Sequence, residues 1–316
     1  MQTKYSQLSA ALYCYAVSHG YIFRNLDPST HILCTHISNF FFRLNHSPLF
    51  LYLITHPEIG WVMVLDGDNV LVNSSKKIED YIPSVPDIYV VHSERFYNGE
   101  ISAGNYLIYN CQWSYIYLLN WINMYTILPS VPYHNNDNGA LHIHFALSVG
   151  KMHPACFDLW YRSLNETWYD RYVGCIKCVI AGQRRFAHIW LLRRGHSFAR
   201  DYREPENTIL ETDFLIHGFK NDSSYYYRWK IRTSVCRHNI AVWSLPIRSE
   251  MVVTDRSIAQ ALIRHYDVAA QKNHPESIGI ADVFDCWPFC QVDLTGHKEQ
   301  TYLKTLCKSN HHSSDI

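Results

Sequence analysis

Apolar and polar residues follow two periods along the first half of the chain, one typical of helices and one typical of strands. Helical spacing of apolar residues predicts three helices, over residues 2–18, 40–56 and 110–134. Short apolar runs bounded by turn residues predict four strands, over residues 21–24, 61–65, 88–92 and 101–109. Because helices and strands alternate with short connections, the order predicts an α/β fold with a mostly parallel sheet flanked by helices.

Two segments share features with membrane-related elements. Residues 110–134 form the longest uncharged run, yet Asn, Gln, Ser and Pro interrupt it. Its apolar positions follow a helical period, so the pattern predicts a helix of a globular domain and no transmembrane segment. Residues 8–18 approach the length of a signal-peptide core, but their Ser, Tyr and Cys content favours an amphipathic helix.

The most informative stretch is the apolar run at residues 61–65, which leads directly into Asp66-Gly67-Asp68. In an open α/β sheet, ligands bind beyond the carboxyl ends of the strands, where these acids are expected. Carboxylates two positions apart on an extended backbone lie on the same side and can converge on a hard cation such as Mn²⁺ or Mg²⁺. Gly67 between them lets a ligand approach the backbone. The stretch therefore predicts a metal site, although isolated Asp-x-Asp triplets also arise by chance.

Two later clusters carry complementary chemistry. Asp137-Asn138 precedes an apolar segment, so it predicts either the N-terminal cap of a helix or a carboxylate and an amide directed at a hydroxylated ligand. His217-Gly218-Phe-Lys220 ends another apolar run. His217 is either a structural hydrogen-bonding residue or a third metal ligand, while Gly218 and Lys220 suit a phosphate. Together the clusters fit a nucleotide diphosphate leaving group.

Composition narrows the class of partner. The chain has 316 residues, of which 47% are hydrophobic and 18% charged, with 28 Lys and Arg against 28 Asp and Glu. A formal net charge of +0 argues against nucleic acid or an anionic membrane surface as the main partner. The 23 Tyr and 9 Trp residues are typical both of sugar-handling proteins and of an aromatic-rich core. No P-loop or dinucleotide-binding fingerprint occurs in the sequence.

The regular alternation of helices and strands fades after residue 232. We therefore expect residues 1–232 to form the α/β domain and residues 233–316 to form an irregular C-terminal extension. Because no linker rich in Pro, Gly or Ser separates them, the change in pattern alone places the boundary.

Ten cysteines allow two kinds of structure. Cys175-x-x-Cys178 and Cys286-x-x-x-Cys290 have spacings found in zinc half-sites. Disulfides formed in a secretory compartment are the alternative. The number of cysteines favours disulfides, because it is larger than cytosolic enzymes usually have. N-glycosylation sequons agree with a luminal glycoprotein, and they begin at Asn45, Asn73, Asn165 and Asn221.

The motifs occur in an order that resembles a known family. They are Trp61-Val-Met-Val-Leu-Asp66-Gly67-Asp68, Glu94-Arg95-Phe96-Tyr97-Asn98, Glu100-Ile-Ser-Ala-Gly104-Asn-Tyr-Leu, Asp137-Asn138-Gly139-Ala140-Leu141-His142 and Phe214-Leu-Ile-His217-Gly218-Phe-Lys220. Over residues 6–220 this order resembles domain-of-unknown-function family 273. That family is similar to the galactosyltransferase and xylosyltransferase group of retaining, metal-dependent enzymes with the GT-A fold. The resemblance implies a Rossmann-related nucleotide-diphospho-sugar transferase domain in the Golgi or another secretory lumen.

The resemblance also implies roles for individual residues. Asp66, Asp68 and His217 match the metal ligands, and the expected metal is Mn²⁺ or Mg²⁺. Asp137, with Asn138, matches the turn beside the donor sugar, where its carboxylate stabilises positive charge at the anomeric carbon or acts as a nucleophile. The remaining contacts to the donor and its diphosphate are expected from Gly67, Gly104, Gly218 and Lys220.

One element of the implied fold is not apparent in the sequence. Family members open with a strand that forms part of the nucleotide-base pocket, whereas this chain begins at the following helix, so we expect a sheet with an exposed edge. Three functional hypotheses remain. The first is a metal-dependent glycosyltransferase that moves a hexose or pentose from a nucleotide-diphospho-sugar to a glycan or glycoprotein acceptor. The others are a catalytically degenerate member that binds glycan or protein, and a zinc-binding interaction protein.

Overall fold

The computed structural model describes residues 6–26, 40–128, 133, 137–180, 183–201, 208–219, 236, 251–275 and 307. The helices in these ranges are α1 (Ser6–His19), α2 (Phe40–Thr55), α3 (Gln112–Ile127), α4 (Asp137–Ser148), α5 (Pro154–Tyr161), α6 (Glu166–Ile180) and α7 (Arg256–Asn273). The strands are β1 (Trp61–Val64), β2 (Val70–Leu71), β3 (Val90–Ser93), β4 (Tyr106–Tyr109), β5 (Ile189–Leu192), β6 (Ala199–Asp201), β7 (Ile209–Leu210), β8 (Leu215–His217) and β9 (Val252–Val253). The α/β class is confirmed.

The strands form three small sheets, of which the two larger ones are mixed. The largest has the order β1-β4-β3-β5, in which β4 is antiparallel to β1 and β3, and β3 is parallel to β5. A second sheet has the order β2-β8-β6, in which β2 is antiparallel and β6 parallel to β8. The strands β7 and β9 form a parallel pair.

The prediction of a mostly parallel sheet is wrong. The chain between β3 and β4 contains no helix, and a parallel pair needs a long crossover that is usually helical. The two strands therefore pair antiparallel, with Val90 opposite Ile108 and Val91 opposite Leu107. The strand predicted over residues 21–24 is also absent. Gly20, with φ at +75°, ends α1 as expected, and the Tyr21 amide then donates to the carbonyl of Ala16 at 2.8 Å.

Both faces of the four-stranded sheet are buried. Val90 and Ile108 lie in one apolar cluster with residues of α2 to α6, including Trp121. Val91 and Leu107 lie on the opposite face, in a cluster with residues of α1 and of the second sheet. Successive side chains of a strand alternate between faces, so each pair of neighbours contributes to both layers. The sheet is thus the central layer of the fold.

Residues 251–275 are regular, unlike the irregular extension predicted for this part of the chain. They contain β9, which pairs with β7, and the helix α7. Two ion pairs join this segment to the rest: Asp267 with Arg194, and His274 Nδ1 with Asp170 Oδ2 at 2.9 Å. Residue 233, where we expect a domain boundary, lies outside the described residues, so the division into 1–232 and 233–316 stays a prediction.

The expected disulfides are confirmed for six cysteines. The pairs are Cys14–Cys236, Cys156–Cys175 and Cys178–Cys307, and their Cα atoms are 5.0, 5.6 and 5.5 Å apart. The zinc hypothesis for Cys175 and Cys178 is wrong, because each is already joined to another cysteine. Cys286 and Cys290 lie outside the described residues. Among the helices of the described ranges, none is both long and apolar enough to cross a bilayer.

Three histidines are buried in the aromatic cluster between the sheet and α3. His46, His92 and His144 are each at most 1% exposed, and burial lowers the pKa of each imidazole to about 3. They surround Trp121. The centroids of the His46 and His144 rings lie 3.6 and 6.0 Å from that of the Trp121 ring, and both rings are stacked on it. The folded protein therefore holds all three in the neutral form near neutral pH.

These histidines make stability depend on pH. The unfolded chain binds a proton at each imidazole near pH 6.5, whereas the folded chain does so only near pH 3. Their contribution is therefore complete above about pH 6.5 and is lost as the pH falls, at about 1.4 kcal/mol per pH unit for each histidine. We expect His144→Phe to reduce the slope of the unfolding free energy against pH between about 6.5 and 4 by about that amount.

Urea unfolding at a series of pH values measures this slope. His144 is the suitable position because its Nε2 atom has no hydrogen-bond partner among the residues that the structure describes. His265→Phe, on the exposed side of α7, is the control and should leave the slope unchanged. An unchanged slope in His144→Phe would contradict the prediction.

Candidate metal centre

Three predicted ligands, from two distant parts of the chain, converge at one point. The ligand atoms of Asp66, Asp68 and His217 all lie within 4.8 Å of one another. His217 Nε2 lies 3.2 Å from Asp66 Oδ2 and 3.3 Å from Asp68 Oδ1. Two carboxylates and one imidazole, partly buried and directed at a common point, form a donor set that suits a divalent cation.

The two carboxylates converge through a turn. The strand β1 ends at Val64, and Asp66-Gly67-Asp68 follows it outside the sheet. The turn is closed by the Asn69 amide, which donates to the carbonyl of Asp66 at 3.3 Å, and by the Asn69 side chain, which donates to the same carbonyl at 2.7 Å. The prediction that these acids share one side of an extended strand is therefore wrong, but their convergence is confirmed.

The strand β8 brings His217 to this turn. It pairs antiparallel with β2, so that Val70 lies opposite Ile216. The pairing continues beyond the strands, because the Phe219 amide donates to the carbonyl of Asp68 at 3.1 Å. Gly218 lies between His217 and Phe219. Its φ angle is +101°, a backbone conformation that residues other than glycine rarely adopt. Lys220, the predicted diphosphate contact, lies outside the described residues.

His217 is held by a third carboxylate. Its Nδ1 atom lies 3.1 Å from Asp201 Oδ1, at the end of β6. Burial lowers the pKa of His217, but hydrogen bonds to three carboxylates outweigh burial and raise it well above its usual value. These carboxylates favour the protonated form of the imidazole in the absence of a metal. Its Nδ1 atom faces Asp201, and its Nε2 atom faces Asp66 and Asp68.

The predicted sugar-facing residues lie at the start of α4. Asp137 is the first residue of the helix, and its Oδ1 accepts from the Asn138 amide at 3.0 Å. Asn138 Oδ1 accepts from the Ala103 amide at 2.9 Å, which attaches the helix to the loop before β4. Burial, with Asp137 and Asp66 also nearby, raises the pKa of the Tyr106 phenol well above its usual value.

Gly104 lies directly against Asp66. A Cβ atom at residue 104 would be 1.8 Å from Asp66 Oδ2 and 2.2 Å from its Cγ, so no larger residue fits unless that carboxylate moves. The sequence resemblance predicts this glycine near the donor sugar. In the structure its immediate neighbour is a predicted metal ligand.

Two groups of supporting residues are not predicted from the sequence. Asn105 Oδ1 accepts from the Asn69 side chain at 2.8 Å, and so fixes the Asp66 turn. Arg95 contacts Asp201, with Nη2 at 3.1 Å from Oδ1. No local pattern identifies Asp201, because it is a single acid in a short strand whose importance comes only from its neighbour His217. Arg95 and Asn105 lie within the motifs quoted for the family resemblance, and that membership is the signal that could have identified them.

Replacement of Gly104 tests its contact with Asp66. We expect Gly104→Ala to displace the Asp66 carboxylate and to lower Mn²⁺ affinity at least about tenfold, or about 1.4 kcal/mol. Isothermal titration with Mn²⁺ measures the affinity. The control is Gly60→Ala, where the nearest atom to an added Cβ is Tyr109 Cε2 at an ordinary 3.8 Å. Equal Mn²⁺ affinities for the two variants would contradict the prediction.

Comparison with known proteins identifies a family, and it also finds distantly similar solved structures. A crystal structure of a glycosyltransferase involved in the glycosylation of the major capsid of PBCV-1 superposes with a TM-score of 0.42 at 13% identity, over 68% of this chain and 87% of that chain. A TM-score of this size does not establish a shared fold. No curated protein matches the chain. The family described as "Protein of unknown function, DUF273" matches residues 12–269. The chain therefore belongs to that family.

Proposed function

We propose that the protein is a metal-dependent glycosyltransferase that uses a nucleotide-diphospho-sugar donor. The observation that carries the proposal is the convergence of Asp66, Asp68 and His217 beside the start of α4. A glycosyl donor of this kind leaves as a nucleoside diphosphate, whose developing negative charge must be stabilised.

The residues present fit a divalent cation. Asp66, Asp68 and His217 supply oxygen and nitrogen donors that suit Mn²⁺ or Mg²⁺. With Asp201 included, three carboxylates surround one imidazole, and this excess of negative charge favours a cation over an anion. The bound metal would supply Lewis-acid stabilisation of the diphosphate leaving group. Gly218, and Lys220 further along, are proposed to contact the diphosphate.

We assign Asp137 to the sugar. Its carboxylate lies at the first turn of α4, and Asn138 secures that turn to the loop that carries Gly104. Positive charge develops at the anomeric carbon as the glycosyl bond breaks, and a nearby carboxylate lowers the energy of that state. We further propose that the reaction retains the anomeric configuration of the sugar. The donor carries a hexose or pentose, and the acceptor is a glycan or glycoprotein. The disulfides agree with transfer in an oxidising secretory lumen such as the Golgi.

Donor hydrolysis tests the proposed activity. We expect slow, Mn²⁺-dependent release of nucleoside diphosphate from at least one member of a panel of nucleotide sugars, because water can replace a missing acceptor. Asp68→Asn keeps the size of the side chain but removes its charge, and it should reduce this release at least about 100-fold. Asp158→Asn, on the exposed surface of α5, should have no effect. A wild-type protein that turns over no donor would contradict the proposal.

The role of Asp137 can be separated from metal binding. We expect Asp137→Asn to reduce turnover at least about 100-fold while Mn²⁺ affinity changes less than about twofold, because this residue is not among the ligands. Proton NMR of the first-formed sugar product would show whether the anomeric configuration is retained. Loss of Mn²⁺ affinity in Asp137→Asn, or an inverted product, would contradict this part of the proposal.

A further inference from the structure

A carboxylate outside the ligand set lies behind His217. The strands β6 and β8 are parallel neighbours, and their register places Asp201 beside His217 at the ends of both strands. Asp201 Oδ1 lies 3.1 Å from His217 Nδ1, while the opposite nitrogen, Nε2, faces Asp66 and Asp68. A hydrogen bond at one imidazole nitrogen fixes the orientation of the ring and decides which nitrogen is available as a ligand.

Asp201 is itself held in place. The Arg95 guanidinium donates from Nε to both of its oxygens at 3.3 Å and from Nη2 to Oδ1 at 3.1 Å. The other Nη atom of Arg95 donates to Glu100 Oε2 at 2.9 Å, and the Tyr169 hydroxyl donates to the second oxygen of Glu100. A planar guanidinium contacting two carboxylates has little freedom to move. The position of Asp201 is therefore set by a chain of buried contacts that reaches α6.

The neighbouring ion pair between Arg200 and Asp213 does not contact the proposed metal ligands, so it serves as a structural comparison for Arg95 and Asp201. Arg200 donates to both oxygens of Asp213, at 2.9 and 2.7 Å, and Asp213 Oδ2 also accepts from the Leu210 amide at 2.8 Å. Both residues of this pair are buried to about the same degree as Asp201. The described hydrogen bonds of the Asp213 side chain come from Arg200 and from the Leu210 amide. The Asp201 side chain differs, because one of its oxygens contacts His217, a proposed metal ligand.

We propose that Asp201, oriented by Arg95, is a positioning residue that holds His217 with its Nε2 atom directed at the metal. The inference rests on the proposed metal centre. It assigns a role to two residues that are not ligands and that lie 106 positions apart in the sequence. Asp201 acts through the nitrogen ligand. Its removal should therefore weaken the binding of cations that favour imidazole to a greater extent than the binding of cations that prefer oxygen ligands.

The test measures how tightly two different cations bind to protein prepared without metal. It does not depend on turnover. Co²⁺ binds imidazole well, whereas Mg²⁺ prefers oxygen ligands. We expect Asp201→Asn to lower Co²⁺ affinity about 10- to 100-fold and Mg²⁺ affinity less than about threefold. The visible absorption bands of bound Co²⁺ should also change. Arg95→Lys, which keeps the charge but loses the planar fork, should give a weaker loss of the same selectivity.

Asp213→Asn is the matched control, since it breaks a buried arginine–carboxylate pair at the same sheet without contacting His217. It should leave the ratio of Co²⁺ to Mg²⁺ affinity unchanged even if the protein is less stable. In the His217→Gln background, Asp201→Asn should have no further effect on Co²⁺ affinity. Equal losses for both cations, or an effect that persists without His217, would overturn the inference. Failure of the wild-type protein to bind either cation would instead refute the proposed metal centre.

Discussion

The connection between β3 and β4 is the constraint on which the candidate site depends. Its side chains and backbone contact four parts of that site, namely Asp66, Asn69, Asn138 and Asp201. Two of its carboxylates, Glu94 and Glu100, are at most 3% exposed. Removing one partner of a buried ion pair costs about 3–5 kcal/mol, so these contacts leave the loop little alternative to its observed path. The proposed metal ligands, the start of α4 and Asp201 therefore share one rigid support.

The helix α6 stabilises this connection from behind. Lys177 lies 3.4 Å from Glu94 Oε1, and Arg184, just after the helix, lies 3.0 Å from Oε2. Burial raises the pKa of Glu94, but these cations outweigh it and lower the value to about 2. The same helix supplies Tyr169 to Glu100. Disulfides from both Cys175 and Cys178 fasten α6 to other parts of the chain, so the covalent links and the buried charges stabilise the same element.

The arrangement separates the two electrostatic tasks that the proposed glycosyl transfer requires. Excess negative charge around His217 suits a cation, which in the proposed reaction would offset the charge of a diphosphate. Asp137 lies apart from this group, at the start of α4, and is the carboxylate that the proposal assigns to the sugar. Gly104 adjoins Asp66 and Asn138 contacts the preceding residue, so one short segment sets the distance between the two tasks. Rigid placement of this kind matters because electrostatic stabilisation of a transition state depends on preorganised groups.

The sequence alone determined the local features. Helical periodicity located α1 and α3, Gly20 ended α1, and apolar runs located β1 and β3 within a few residues, because the period of burial is a property of neighbouring residues. The apolar runs that precede Asp66 and His217 indicated where Asp66, Asp68 and His217 would lie, since strand ends are recognisable from the chain itself.

Only the tertiary structure decided how these features combine. Strand direction was mispredicted because pairing depends on the path of a connection, which periodicity does not encode. Asp201 was not identified because it has no distinctive local pattern. Arg95 belongs to a motif of the family resemblance, but its role was not identified because its hydrogen bonds with Asp201 join residues 106 positions apart. The sequence therefore supplied the atoms that can bind a metal. The sheet topology decided which buried partners orient them, because hydrogen-bond geometry depends on distances in space and not on separation along the chain.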